Sequence, residues 1–408
     1  MEMRQMKGME IARMGKIQKM KEGYRVPSQT EKGGFYQVSD EDFTCTCPDS
    51  QKRKQTCKHA FALRYYLKTE WDTPQGTVVK EKRLTYPQAW GAYRKAQTSE
   101  VKMFDELLSD LVESIEEPQQ GMGRPRVPLK VAAFCAIQKV YSQLSSRRAY
   151  SLYKNAEGKE QIGKAPSYNI VNLALNRADL TPILHELITL SALPLKAVET
   201  DFAIDSTGFR TDCFNQYAEE KYQLGRQHEW LKAHICTGVK TNIVSAIEIT
   251  DEHGADCPQF SPLVSTTHAG GFNMQEVSAD KAYPSRENYD KLAEIGATGY
   301  IPFKSNHTCK QKGSAAWRKA FLYFQLNQDE FYEHYHKRSN VESTNSMVKA
   351  KFGDKVKSRN AVAQENELIC KFIAHNIVVL IHEIFELGIE PNFNERTRMP
   401  LNTSKPLS

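Results

Sequence analysis

The sequence predicts an α/β protein in which a mixed sheet flanked by helices follows a helical region and a small metal-binding module. Three observations carry this. Beyond Pro194, short strand-like apolar segments alternate with helical ones. Between Ala89 and Asn176 apolar residues recur at three and four, the helical period. Three of the nine Cys gather with a His between Cys45 and His59, while the other six are dispersed singly.

From Ala89 to Glu117, Val101, Phe104, Leu107, Leu108, Leu111, Val112 and Ile115 mark one amphipathic helix, ending before Pro118. Helices follow over Leu129 to Gln143, Ser145 to Lys154 and Ser167 to Asn176, the last two opened by serine. Their basic residues, Arg147, Arg148, Lys154 and Lys164, interleave with Tyr150, Tyr153 and Tyr168. That pattern suits both a helix-turn-helix-like DNA-binding bundle and a plain helical bundle. Strands are expected over Val198 to Ile204, His228 to Cys236, Asn242 to Thr250, Met274 to Ala279 and Thr298 to Phe303. Helices are expected over Pro258 to Ser265 and Ser285 to Ile295. Two more close the chain, Arg338 to Phe352 and Gln364 to Leu387, the latter stopped at Gly388.

The 408 residues hold 40% apolar and 25% charged side chains, which excludes disordered and collagen-like classes. Apolar runs are short, the longest near the C-terminus being Ile377 to Ile381, so no membrane span is expected. The N-terminus lacks the pattern of a secretory signal, and dispersed single cysteines suit reduced thiols; both point to a cytoplasmic protein. The net charge is +6, and residues 1–68, with 14 basic and 8 acidic side chains, carry all of it. The polyanionic partner that a basic balance implies is thus expected at the N-terminal segment first.

Within that segment, Cys45-Thr46-Cys47 and Cys57-Lys58-His59 offer three thiolates and an imidazole, enough for a closed tetrahedral zinc site. A strand-like Phe35 to Phe43 and a helical Ala60 to Leu67 flank them, and zinc would replace the core so small a module lacks. A redox pair is the competing reading of the cysteines; His59 at ligand spacing favours zinc. These residues resemble the SWIM zinc finger over about Tyr36 to Leu67. The resemblance implies Zn²⁺ on Cys45, Cys47, Cys57 and His59 and a role in binding DNA or protein. Lys52, Arg53, Lys54 and Lys58 are placed to reach phosphates, or form a solvated loop.

In the α/β half, Asp205 ends an expected strand before a Ser206-Thr207-Gly208 turn, and Asp280 ends another before Lys281. Aspartates at the ends of strands in one sheet can converge on Mg²⁺, which takes hard oxygen ligands, although either alone also fits a turn residue. Further on, Tyr335, Arg338, Glu342 and Lys349 stand at offsets 0, 3, 7 and 14. On one helix they would lie within roughly 60° of each other. A glutamate between Arg and Lys suits a metal ligand beside a phosphate track; an i,i+4 ion pair of Arg338 with Glu342 is the alternative.

The Tyr-x2-Arg-x3-Glu-x6-Lys spacing resembles the signature of a large group of prokaryotic insertion-sequence DDE transposases. Asp205-Ser-Thr-Gly resembles the first catalytic block of that group and Ala279-Asp280-Lys281-Ala282-Tyr283 its second, with Trp230 to His234 and Ile301 to Asn306 like the intervening strands. The likeness runs from about Val198 to Leu387. It implies an RNase H-like fold, with Asp205, Asp280 and Glu342 as catalytic triad holding Mg²⁺ or Mn²⁺. It also implies DNA or scissile-phosphate positioning by Tyr335, Arg338 and Lys349; Lys304 and Asn306 lie in the block after Asp280 and join that group. Asp201, on the same strand face, rivals Asp205, and the Ser-Thr-Gly decides for Asp205. Sixty-one residues separate Asp280 from Glu342, leaving no room for the large β insertion of some relatives.

The implied activity is metal-dependent cleavage of double-stranded DNA at terminal inverted repeats, then strand transfer into target DNA, by a homodimer in the synaptic complex, in a nucleoid-associated setting. A domesticated, non-catalytic DNA-binding protein and a structure-selective nuclease of the same fold are the alternatives. Lys337, Lys351, Lys355, Lys357 and Arg359 are expected to neutralise phosphates; His234, His336 and His375 are candidates to support the site or touch DNA, with a hydrogen-bonded structural role the favoured reading of each. The expected organisation is a basic segment with zinc finger (1–68), a linker (69–88), a helical DNA-binding region (89–194), the catalytic domain (195–388) and a flexible tail (389–408).

Overall fold

In the computed structural model, the described residues are 4, 7–8, 11–12, 17–20, 23–29, 34–39, 42–53, 56–67, 71–73, 76–78 and 89–393 except 120, 121, 124, 212–229 and 311–312. Lys54, Gly121, Arg124 and Cys213 lie outside them, as do 79–88 and 394–408. The chain divides into two compact units, Met1–Gln88 and Ala89–Ser408.

In the N-terminal unit, β1 (Gln18–Lys19), β2 (Tyr24–Pro27) and β3 (Phe35–Val38) form an antiparallel sheet in that order. Helices Pro48–Arg53 and Lys58–Tyr66 follow. Its core is small: Ile11, Ile17, Val26, Val38 and Leu63 close around the three cysteines. Within the stretch read as a linker, β4 (Trp71–Thr73) pairs antiparallel with β5 (Gly76–Val78).

The second unit is built on a five-stranded sheet of β6 (Asp201–Arg210), β7 (Trp230–Gly238), β8 (Val244–Asp251), β9 (Glu276–Ala279) and β10 (Thr298–Tyr300). The spatial order is β10-β9-β6-β7-β8, with β7 antiparallel to both neighbours and the β6-β9 and β9-β10 pairs parallel. This mixed sheet flanked by helices is the expected RNase H-like architecture. Helix Phe260–Ala269 carries the chain from β8 back to β9 beside β6, and helix Arg286–Glu294 forms the crossover from β9 to β10, as parallel strands require.

Strand β6 runs six residues past the expected end at Ile204. Its pairing with β7 extends from Phe202↔Gly238 to Arg210↔Trp230, so Ser206-Thr207-Gly208 is strand and not turn. Gly208 permits this: a Cβ there would come 3.1 Å from the Trp230 ring. At the far end of β7, Gly238 makes room for the buried Glu199 carboxylate, which accepts hydrogen bonds from Thr241 N (2.6 Å), Thr241 Oγ1 (2.7 Å) and Lys240 N (3.2 Å). That carboxylate anchors the β7-β8 connection.

Helices Trp90–Val112, Leu129–Ser142, Ser146–Gly158 and Tyr168–Leu175 match the sequence reading; Thr181–Ala192 is additional. All join one apolar core with the sheet. The organising element is Ala361–Glu386, which packs on Trp90–Val112, Leu129–Ser142, Thr181–Ala192 and β8. It is long and apolar enough to cross a membrane, more so than the short apolar runs suggested. Yet 83% of its most apolar stretch is buried inside the protein, as in a core helix. Its Asn376 side chain stitches three elements, accepting from Val244 N (2.9 Å) and donating to Val244 O (2.7 Å) and Ser191 Oγ (2.9 Å). The expected tail starts later than 389, since Phe393 is buried in this core.

Two helices escaped the sequence reading, Ala315–Leu326 and Gln328–Tyr335. Trp317, Phe324 and Phe331 from them build an aromatic layer with Tyr289, Tyr300 and Phe303 over β10.

Glu383, near the end of the central helix, has its carboxyl pushed up to about 7 by burial, with Glu386 and Glu199 adding repulsion. Its folded pKa therefore exceeds the ordinary 4.5. The folded state holds a proton there that the unfolded state has lost, and the penalty grows as pH rises from 4.5 and is complete above 7. Glu383→Gln should raise stability by about 1–3 kcal/mol at pH 8 and by almost nothing at pH 4.5, measured by urea unfolding at both pH values.

Candidate functional site

The zinc module assembles its four ligands from two short segments. Cys45 bridges to Val38 at the end of β3, and Cys47 directly precedes helix Pro48–Arg53. Cys57 occupies the N-cap of helix Lys58–Tyr66, with His59 in its first turn. All four are buried, and one ligand atom from each lies within 4.8 Å of every other. Cys57 Sγ stands 3.9 Å from His59 Nδ1, against edges of roughly 3.5–3.8 Å in a tetrahedron of Zn–S and Zn–N bonds. His59 Nε2 is buried with no protein partner. Three thiols and an imidazole crowded in a dry site are hard to satisfy without a cation. Among them the Cys57 thiol is lowered to about 3 by hydrogen bonds from Cys45, whereas Cys45 is pushed up by its bond to Cys57 and by burial. The residues fit structural Zn²⁺. Of the basic side chains beside it, Lys58 donates to Gln29 (3.2 Å) and Arg53 pairs with Asp49 (3.7 Å).

In the second unit the register of β6 against β9 places the aspartates. Ile204 faces Ala279 in the last pair of the parallel register, so Asp205, next on β6, and Asp280, the first residue beyond β9, leave that pair side by side. Those strands lie about 4.8 Å apart. Asp280 accepts from Ala282 N (2.6 Å), which fixes its carboxylate at the strand end. Asp205 is pushed up to about 6 by burial, opposed by Arg338 and reinforced by the charges of Asp280 and Glu342. Three carboxylates thus share one electrostatic neighbourhood.

Tyr335, Arg338, Glu342 and Lys349 do not share one continuous α-helix. Tyr335 ends Gln328–Tyr335, Arg338 closes the 3-10 turn His336–Arg338, and Glu342 and Lys349 sit in the first and last turns of helix Ser339–Phe352. The turn nevertheless delivers Arg338 to the carboxylates: Nη1 is 3.3 Å from Asp205 and Nη2 is 2.6 Å from Glu342. The Tyr335 ring lies 5.9 Å from the same guanidinium, and its hydroxyl is raised by burial. Arg338 offsets part of the charge of the two carboxylates it joins. Lys349 lies farther along β6, 5.3 Å from the Phe209 ring, with its ammonium lowered by burial. Lys304 and Asn306 are exposed in the segment after β10, and no contact to the three carboxylates is made by them among the described residues.

Several cations expected on phosphates are engaged within the protein. Lys337 Nζ lies 2.7 Å from Asp201 and 2.6 Å from Glu276, and Lys351 Nζ 2.7 Å from Glu100. Lys357 Nζ donates to the Gln143 carbonyl at 3.1 Å. His234 and His375 are buried, both lowered to about 4 by burial; their Nε2 atoms meet Thr250 Oγ1 and the Asn242 carbonyl, each at 2.9 Å. These are structural partnerships. Asp201, the rival of Asp205, is on the same strand face, but it belongs to the Lys337 pair. The sequence reading missed Glu276; its signal is the spacing, four residues before Asp280 as Asp201 is four before Asp205.

Residues 196–377 match the family model of the transposase DDE domain, and residues 35–68 that of the SWIM zinc finger. The chain therefore carries a transposase DDE domain of RNase H-like fold preceded by a SWIM zinc finger. No solved structure matches it.

Cys57→Ser, or a strong chelator, should release about one zinc per chain. Without it the N-terminal unit is expected to lose its fold, since its core is built around the ligands. Zinc release assayed with a chromogenic chelator, alongside protease sensitivity of residues 1–68, checks this.

Proposed function

We propose that this protein is an active DDE transposase that cuts DNA at the ends of an insertion element and joins them to target DNA. The observation that carries the proposal is that Asp205 and Asp280 directly follow the last register pair of β6 and β9, with Arg338 linking Asp205 to Glu342. Asp205, Asp280 and Glu342 would hold Mg²⁺ or Mn²⁺; their hard oxygen donors and shared negative field suit such ions. Bound there, the metal supplies Lewis-acid activation of a phosphodiester and of the attacking water or 3′-hydroxyl. No protein nucleophile is required.

The chain's own part is positioning. Ala282 N–H orients Asp280. Arg338 reduces carboxylate repulsion until the metal binds, and then offers its planar donors to a phosphate. Tyr335 and Lys349 line the approach along β6, and Lys304 and Asn306 extend the contact beyond β10. Arg147, exposed 5.9 Å from the Tyr168 ring, and Arg148 mark helices Ser146–Gly158 and Tyr168–Leu175 as the end-binding part of a region spanning 89–194. The zinc module, in the basic 1–68 segment, adds sequence-independent attraction. Two ends must be held together for joining, so the working form is a homodimer.

Asp205→Asn, Asp280→Asn and Glu342→Gln should each lower cleavage by on the order of 10³-fold, about 4 kcal/mol of transition-state stabilisation, while gel-shift binding of end DNA is retained. Purified full-length protein, labelled element ends, Mg²⁺ and a target plasmid make the assay. Cleavage surviving in all three variants would overturn the proposal. Cleavage without joined products would identify a nuclease, and binding without cleavage a silent DNA-binding protein.

A further inference from the structure

The parallel register of β6 and β9 creates two acidic tiers. In the upper tier Asp205 and Asp280 directly follow the last register pair; in the lower, four residues back, Asp201 directly faces Glu276. Four residues along a strand is about 13 Å, and Ala203 is the one residue of β6 between them on that face. Consecutive residues of one 3-10 turn serve them separately. Arg338 reaches Asp205 and Glu342, whereas Lys337 bridges Asp201 (2.7 Å) and Glu276 (2.6 Å).

The lower tier is completed inside the protein. Its three side chains are each three-quarters or more buried. Glu276 also meets His334 Nδ1 at 2.9 Å, and that imidazole stacks on Tyr300 at 4.5 Å with a 6° interplanar angle. The residue after Lys337 is Arg338, and Glu342 lies one helical turn beyond. On the N-terminal side of Glu342 the ammonium ties the turn to β6 and β9, while on the helix itself Asn340 Nδ2 donates to the Val239 carbonyl beyond β7 at 2.6 Å.

We propose that Lys337 is a positioning residue: by bridging Asp201 and Glu276 as a built-in cation, it fixes the turn that sets Glu342 over Asp205 and Asp280 for metal binding. This rests on the reading of those three carboxylates as the metal site. An exposed ion pair contributes little, but a largely buried lysine held by two carboxylates resists displacement more strongly. The lower tier stays closed by the protein while the upper one exchanges Arg338 for metal.

The test is Mn²⁺ binding to full-length protein without DNA, followed by electron paramagnetic resonance, together with the Mn²⁺ concentration giving half-maximal cleavage. The variant K337M/E276Q keeps net charge constant and removes the bridge. Its Mn²⁺ affinity should fall roughly 10-fold or more, the range seen when groups supporting metal ligands are lost. K337R, able to span both carboxylates, should stay close to wild type. DNA affinity should not change. A folded double variant with wild-type Mn²⁺ affinity would overturn the proposal, since a merely structural bridge alters the melting temperature and not the metal. Should the double variant fail to fold, D201N, which removes one of the two bonds, is expected to weaken Mn²⁺ binding about threefold, and an unchanged affinity there overturns it equally. Wild type that binds no Mn²⁺ would instead remove the metal reading of the carboxylates, and the inference with it.

Discussion

The parallel pairing of β6 with β9 is the constraint on which the second unit depends. A register slip of one residue would turn Asp280 to the opposite face and separate it from Asp205. The correct register has its own cost, because it brings Asp201 beside Glu276 and Asp205 beside Asp280. Four carboxylates on two neighbouring strands repel one another unless cations intervene. The turn His336–Arg338 supplies two of them, so the conformation after Gln328–Tyr335 follows from the charge that the sheet register creates. Burial is the main cause that raises Asp205 to about 6; Arg338 opposes it, and the charges of Asp280 and Glu342 add to it.

Holding the register falls to the elements behind the sheet. The helix Ala361–Glu386 binds the start of β8 through Asn376 and the helices before the sheet through its apolar faces. Glu199 secures the β7-β8 connection. At the other side, Lys351 in the last turn of Ser339–Phe352 pairs with Glu100 of Trp90–Val112, and Tyr141 donates to the same carboxylate at 2.7 Å. The helix bearing Glu342 is thereby fixed at one end to the sheet and at the other to the preceding helices. The helical region thus shares a core with the sheet and an ion pair with the helix that carries Glu342.

The parts of the fold that were legible in the sequence are those with strong local signals. The strands and helices from 198 to 303 announce themselves by period, and the zinc ligands by chemistry at fixed spacing. The extent of β6 past Asp205 was hidden, because Ser206-Thr207-Gly208 has turn composition and only the pairing partner β7, with room for Trp230 over Gly208, makes it strand. Helices Ala315–Leu326 and Gln328–Tyr335 were missed since their aromatic residues are sorted by a tertiary layer over β10 and not by a clean helical face. The break between Tyr335 and Glu342 was invisible for a related reason: the offsets fit one helix, and the 3-10 turn is dictated by carboxylates 130 or more positions away in sequence, such as Asp201 and Asp205.

Charge bookkeeping from sequence also misjudges which cations are available. Residues 69–408 hold equal numbers of acidic and basic side chains, and the segment Lys337 to Arg359 looks like a basic stripe. In the folded chain Lys337 and Lys351 are committed to carboxylates and Lys357 to a carbonyl. A cation held within hydrogen-bond reach of buried carboxylates releases no counterion from DNA, so the electrostatic attraction of this half must come from fewer groups than the count implies. The charge excess of the chain therefore lies in residues 1–68, whereas in the sheet-bearing half several of the cations are already engaged by the protein's own carboxylates and carbonyls.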